Sequence, residues 1–322
     1  MRSPFSPFLE QQPFLVLDGG LATELETRGY DLNDALWSAR LLLSDPEAIQ
    51  QVHYDYLRAG ADCVITASYQ ATIPGLLQQG LSEQEAIDVL RRSVQLAVAA
   101  RDQFWQAPES RQGRIQPLVA ASVGPYGAYL ADGSEYSGQY GLDEGELIVF
   151  HRQRWHILAA TSADLLACET IPSALEARAL AQLLKETPEV PAWVSFSCRD
   201  GHRISDGTVL EDAIAPLTGL SNVVAIGVNC TSPTYIPSLV RRIRNVTDKL
   251  VLVYPNSGEV YHSETKQWHG YATVDDFATA SQTWHEAGAM VIGGCCRTTL
   301  QHISAIRHFL SSSSQHGLIP KE

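Results

Sequence analysis

No stretch of the chain approaches the roughly 18 consecutive apolar residues that a membrane-spanning helix needs. The opening segment, Met1-Arg-Ser-Pro-Phe-Ser-Pro7, is broken by proline and lacks the apolar centre of a secretory signal, so a cytoplasmic, reducing location is expected. Basic residues are scarce: 23 Lys and Arg against 36 Asp and Glu leave a formal charge of −13. That balance argues against nucleic acid or an anionic membrane surface as a partner. Cysteine is sparse as well, at 6 in 322 residues, which excludes a disulfide framework in such a compartment. The 10 histidines include no HExxH pair and are expected mainly at the surface, with His262 and His269 in a long loop that faces substrate at most. Asp18-Gly-Gly-Leu21 lacks the third spaced glycine of a dinucleotide fingerprint. No expected strand ends in lysine (Lys185, Lys249 and Lys266 lie elsewhere), so a Schiff-base lyase or aldolase has no nucleophile.

What the chain has is apolar strand followed by amphipathic helix, repeated. A hydrophobic content of 45% with 18% charged residues suits a large globular core. Strands are predicted at Phe14–Asp18, Cys63–Ala67, Leu118–Ser122, Asp164–Glu169, Ala192–Ser197, Val223–Asn229, Leu250–Tyr254 and Ala289–Ile292. Each is rich in Val, Ile, Leu and Ala with little polar alternation, as expected of parallel strands buried on both faces. Helices are predicted over Pro46–Ala59, Ser82–Ala107, Glu144–Ala160, Ala174–Glu186, Ile236–Arg244, Val274–Ala287 and Gln301–Leu310. The first carries a Ser44/Asp45 cap with Pro46 in its first turn, and the second opens on a capping-box pattern at Ser82. Eight strands interleaved with helices, with no composition shift to mark a linker, predict one (β/α)₈ TIM barrel. It would span residues 1–322, with a core from about 14 to 310 and frayed ends. A doubly wound open sheet is the alternative.

Two connections exceed what a barrel needs: Gly124 to Gly141, rich in Gly and Tyr, and Pro255 to Gly270, polar with aromatic punctuation. Both follow strands and so belong on the C-terminal rim, where barrel active sites sit.

The same rim gathers the chemistry. Cys230 ends the sixth strand, and Cys295-Cys296 follows the eighth after Gly293-Gly294. Three thiols at neighbouring strand ends read as soft metal ligands. Three sulfurs leave tetrahedral Zn²⁺ one open position, suited to an incoming thiol. Side chains at successive strand positions point to opposite faces, so the pair converges only if the backbone turns, which Gly293-Gly294 would ease. A vicinal disulfide, or a zinc or redox sensor, is the competing use. Cys63, Cys168 and Cys198 lie in or beside apolar strands and read as small buried hydrophobes. Asp18 ends the first strand and Glu169 the fourth, placed either to bind a substrate ammonium or, for Asp18, to cap the helix around Leu21–Thr27.

These segments resemble the zinc-dependent homocysteine S-methyltransferases, especially the bacterial and plant branch that uses S-methylmethionine. The resemblance rests on Leu17-Asp-Gly-Gly-Leu-Ala-Thr-Glu-Leu-Glu26, Ala59 to Thr72, Ser122 to Tyr136, Ala163 to Thr170, Gly227-Val-Asn-Cys230, Val253 to Glu259 and Gly293-Gly-Cys-Cys-Arg-Thr-Thr299. It extends from about Phe14 to Phe309. It implies a (β/α)₈ barrel with Zn²⁺ on Cys230, Cys295 and Cys296, and homocysteine sulfur as the fourth ligand. Asp18 and Glu169 match family positions that hold the amino acid's ammonium. The Asp132–Tyr136 and Pro255–Glu259 loops look like those of the S-methylmethionine branch. A sulfonium donor, S-methylmethionine or S-adenosylmethionine, would meet aromatic faces, with Tyr126, Tyr129, Tyr136 and Trp268 as candidates.

Overall fold

Eight short apolar runs pair side by side in parallel: Leu15–Val16, Cys63–Ile65, Leu118–Val123, Leu165–Ile171, Ala192–Phe196, Val223–Asn229, Leu250–Tyr254 and Val291–Ile292. They are called here the first to eighth barrel strands. The eighth pairs with both the first and the seventh, and a parallel bridge from Leu17 to Cys63 joins first to second, so the sheet closes. The computed structural model describes residues 3–32, 37–262, 267–270 and 273–315, with side chains described except at 37–38, 259–262, 267–270 and 310–315.

Alternation along the strands decides which side chains fill the barrel. Leu15 and Leu17 point inward with Cys63, Ala120, Leu165, Ala167, Trp193, Ala225, Leu252 and Val291. Val16, Val64, Val119, Ala121, Val194 and Ile226 point outward into the layer between strands and helices. Each fully buried Val or Leu contributes about 1.5–3 kcal/mol of transfer free energy. Phe5 and Phe8, flanking and within the short helix Ser6–Leu9, pack against the inner cluster, with the Phe5 ring 6.1 Å from that of Trp193.

The helices stand where expected, at Pro46–Ala59, Glu83–Gln106, Glu144–Ala159, Ala174–Glu186, Ile236–Val246 and Val274–Ala287, while the last, Leu300–Gln315, runs on past its expected end at Leu310 into the tail expected to be frayed. Ser82 and Asp143 each close a capping box with the glutamate three residues on. Among the helices not expected, Leu210–Thr218 fills the gap between the fifth and sixth strands. Its apolar residues Leu210, Ala213, Ile214 and Leu217 are buried at helical spacing, but Pro216 masks the pattern in the sequence. Part of the long seventh connection pairs as an antiparallel hairpin, Glu259–His262 with Gln267–Gly270.

At the N-terminal end of the barrel, Asp62 precedes the second strand and is almost wholly buried. It accepts from Val16 N at 3.0 Å and Gln12 Nε2 at 2.7 Å, and it pairs with Arg114 and Arg307. Its negative charge is answered from within the fold. No described helix is long and apolar enough to cross a membrane.

Candidate active site

The C-terminal ends of the strands surround a cavity of about 610 Å³. Cys230, Cys295, Cys296, Asp18 and Glu169 all line it. The three sulfurs lie within 4.8 Å of one another, and Cys230 Sγ stands 3.8 Å from Cys296 Sγ. All three thiols are free. That separation equals the edge of about 3.8 Å in a tetrahedron with metal–sulfur bonds of roughly 2.3 Å, so the donor set fits a soft metal ion.

The backbone that converges them differs from the expected glycine turn. Gly293 and Gly294 do not adopt the left-handed region; they are small because there is no space. A Cβ on Gly293 would meet Leu17 Cβ at 2.5 Å, and one on Gly294 would meet Thr298 Oγ1 at 2.4 Å. The turn lies after them, over Cys295 to Thr298, where Thr298 N donates to Cys295 O at 3.2 Å and Arg297 takes φ 65°. Cys230 itself sits at φ 45°. The seventh connection braces the pair: Cys295 N donates to Pro255 O at 2.8 Å, and Ser257 N to Cys296 O at 3.1 Å. Cys230 and then Cys295 hydrogen-bond Cys296, and with Tyr136 they hold its thiol well below its ordinary value. Cys295 is pushed upward, first by its hydrogen bond with Cys230.

Asp18 does not cap the helix Leu21–Thr27, which has no side-chain cap; its Oδ2 accepts from Ile65 N at 2.8 Å. Burial, with the charge of Glu169 adding to it, raises the Asp18 carboxyl well above the usual range. Burial pushes Glu169 up to about 7, against hydrogen bonds from Ser122 and Tyr254 that favour its ionised form. An irregularity in the register between the fourth and fifth strands falls at Glu169 and Thr170, and such a bulge re-aims a side chain. Thr170 is left-handed at φ 62°, an outlier for a β-branched residue. Asn229 holds it there: Asn229 Oδ1 accepts from Thr170 N at 2.7 Å, and Asn229 Nδ2 donates to Thr170 Oγ1 at 2.7 Å. Because Asn229 precedes Cys230, one side chain links the strand end bearing Glu169 to the one bearing a sulfur.

A family model described as homocysteine S-methyltransferase matches residues 15–310. Homocysteine S-methyltransferase YbgG of Bacillus subtilis (strain 168) is 52% identical, over 94% of this chain and 96% of that protein. Homocysteine S-methyltransferase 1 of Arabidopsis thaliana is 48% identical, over 90% of this chain and 91% of that one. This chain belongs to the homocysteine S-methyltransferase family. The crystal structure of the homocysteine methyltransferase MmuM from Escherichia coli in its metallated form superposes with TM-score 0.85 at 44% identity, covering 95% of this chain and 99% of that one. Its oxidized form gives a TM-score of 0.86, with the same identity and coverage.

Among the aromatic candidates of this methyltransferase, only Tyr136 reaches the cavity as described. Tyr126 and Tyr129 instead join Tyr140 and Phe150 in a ring cluster away from it, with Tyr126 and Phe150 centroids 4.8 Å apart. Tyr126 lies too early on the connection and packs against the following helix. The side chains of Trp268, His262 and His269 lie outside the described residues. The surface expectation fails for three histidines, since His53, His151 and His302 are buried. His151 bridges Glu176 Oε1 at 2.8 Å and Arg154 at 2.8 Å, and Glu176 accepts from Tyr126 N and Tyr140, anchoring the long third connection. Cys63, Cys168 and Cys198 are buried hydrophobes, as expected.

Sequence reasoning passed over Ser122, Tyr254, Asn229 as a support, and Glu135. All four stood inside segments already quoted for the family resemblance. Only the fold shows what they face.

Proposed function

We propose that this homocysteine S-methyltransferase moves a methyl group from a sulfonium donor, S-methylmethionine, to the sulfur of homocysteine, with Zn²⁺ on Cys230, Cys295 and Cys296. The observation that carries the reading is the convergence of three sulfurs in a cavity whose described charged side chains are all acidic. Five carboxylates line it, from Asp18, Glu26, Asp31, Glu135 and Glu169, and among the described residues no Lys, Arg or His does. An anionic donor would be repelled there, whereas a sulfonium and an α-ammonium are both attracted.

Bound by the three cysteines, the metal would supply deprotonation of an incoming thiol at neutral pH. Asp18 and Glu169 would hold the homocysteine ammonium, each carboxylate already oriented by a hydrogen bond from the barrel. Pairing with a cation favours the ionised form of both acids and so opposes the upward pull of burial. The methyl carbon then forms a bond to the homocysteine sulfur while its bond to the donor sulfur breaks, the electron pair staying with the departing thioether. The leaving group is neutral and takes no proton, so the site needs no general acid. Methionine arises from both partners when S-methylmethionine is the donor.

The test is methionine formation from homocysteine by the purified, reduced, zinc-loaded protein, with S-methylmethionine, S-adenosylmethionine and betaine supplied separately beside a chelated control. Turnover with a sulfonium that disappears with the metal is the expected result. Turnover that survives chelation would overturn the metal assignment, and failure with every sulfonium would overturn the donor.

A further inference from the structure

Glu135 differs from the other two carboxylates that face the thiols. Asp18 and Glu169 both accept hydrogen bonds from the barrel. Glu135 Oε2 is shut off from solvent and has no hydrogen-bond partner. Its carboxylate lies in the same cavity as the three sulfurs.

Neighbouring segments restrain the backbone at Glu135. It sits on the single 3₁₀ turn Ser134–Tyr136. That turn lies so close to Gly127 that a Cβ there would meet Glu135 N at 2.3 Å. The Glu135 carbonyl accepts from Ser197 Oγ at 3.2 Å, and the next residue, Tyr136, lines the same cavity as the thiols. The turn is thus tied to the fifth strand's end and faces the cavity that holds the thiols. Asp132 has the ordinary local task of accepting from Ser134 N at 2.9 Å.

A buried acceptor with no donor is costly unless something arrives to satisfy it. No basic side chain among the described residues lines the cavity, so the cation has to come with a ligand. We propose that Glu135 is the counter-charge for the cationic centre of the methyl donor and sets the preference for charged over neutral thioether ligands. The inference rests on the sulfonium reading above. During transfer the sulfonium and thiolate charges cancel, leaving two neutral thioethers. A carboxylate beside the donor cation therefore strengthens donor binding without lowering the barrier, and its signature is donor KM rather than kcat.

The experiment compares wild type with Glu135→Gln, which keeps the shape, and Glu135→Asp, which keeps the charge. Donor and homocysteine KM are measured separately. Calorimetry reads S-methylmethionine affinity for the zinc-loaded protein without homocysteine. Glu135→Gln should raise donor KM and weaken calorimetric affinity by about tenfold or more, with kcat within roughly twofold and homocysteine KM unchanged. Glu135→Asp should recover much of the loss. Dimethylsulfonioacetate, which lacks an ammonium, locates the paired charge. An equal loss with it is the expected result, whereas a loss confined to S-methylmethionine places Glu135 on the ammonium, which a neutral thioether also carries, and overturns the inference. An unchanged donor KM in Glu135→Gln, with wild type active, overturns this inference alone. A parallel loss for both substrates together with a lower unfolding midpoint shows a merely structural role and also overturns it. A wild type inert toward every sulfonium removes the reading and the inference together.

Discussion

The two ends of the barrel treat their acids in opposite ways. At the N-terminal end Asp62 is met by Arg114, Arg307, Gln12 and a backbone amide. On the outer layer Glu176 is likewise met by His151, Tyr140 and the Tyr126 amide. At the C-terminal rim Asp18, Glu135 and Glu169 share one cavity that no described basic residue enters. A carboxylate that serves the fold brings its cation with it. On the ligand-binding role proposed for the rim acids, each is left for the ligand to complete, and its cost is recovered in binding.

The largest expected effect separates the thiols from both sets of acids. Cys230→Ala should abolish metal retention and turnover while far-ultraviolet circular dichroism stays that of the folded barrel. The loss of metal affinity should exceed the roughly 10–100-fold cost of losing a supporting hydrogen bond. Full methyl transfer by that variant would sink the metal-thiolate assignment.

The next pair tests the comparison itself. Asp62→Ala strands two guanidinium groups and should cost about 2–3 kcal/mol in urea unfolding, allowing for their partial exposure, with catalytic constants unchanged. Asp18→Asn should do the reverse, raising homocysteine KM roughly 10- to 100-fold while leaving stability equal or higher. If Asp18→Asn destabilises as much as Asp62→Ala, the distinction between the two ends is wrong.

Asn229→Ala should fall between. It removes the acceptor for Thr170 N and should cost about 1–3 kcal/mol. By freeing the strained Thr170 it should also lower both metal affinity and homocysteine binding, read by metal titration and steady-state kinetics. A stability loss without either functional loss would reduce Asn229 to a packing role.

The smallest effect concerns pH. The Glu169 carboxyl lies near 7 in the fold against an ordinary 4.5. Its proton is therefore lost by the unfolded chain first, and the folded state loses stability as pH rises through that interval. Above it the penalty is complete. Urea midpoints of the metal-free, reduced protein at about pH 5 and about pH 8 should differ more in wild type than in Glu169→Gln. Equal slopes would show that Glu169 is ionised equally in both states.

Much of this was readable along the chain. The barrel followed from apolar runs such as Val223–Asn229, which alternate too little to have a wet face. Their ends identified Asp18, Glu169 and the three cysteines as rim residues before any contact was known. The helix Leu210–Thr218 escaped because Pro216 obscures a short apolar pattern that the packing tolerates. Tyr126 and Tyr129 were misplaced because residue type says what a ring can bind, not which way a connection turns. Gly293 and Gly294 were recognised as necessary for the wrong reason: close approach to Leu17 and Thr298 excludes a side chain there.

Local pattern and motif alone thus determined the family resemblance, the strand order along the chain and the identity of the rim residues, since periodicity and residue chemistry are properties of short segments. Tertiary structure alone decided which acids are paired and which are not. Asp62 meets Arg307 across 245 positions, and Glu135 meets no cation at all among the described residues. A charge's partner is set by distance in space, and closure of the barrel is what turns distant positions in the chain into neighbours.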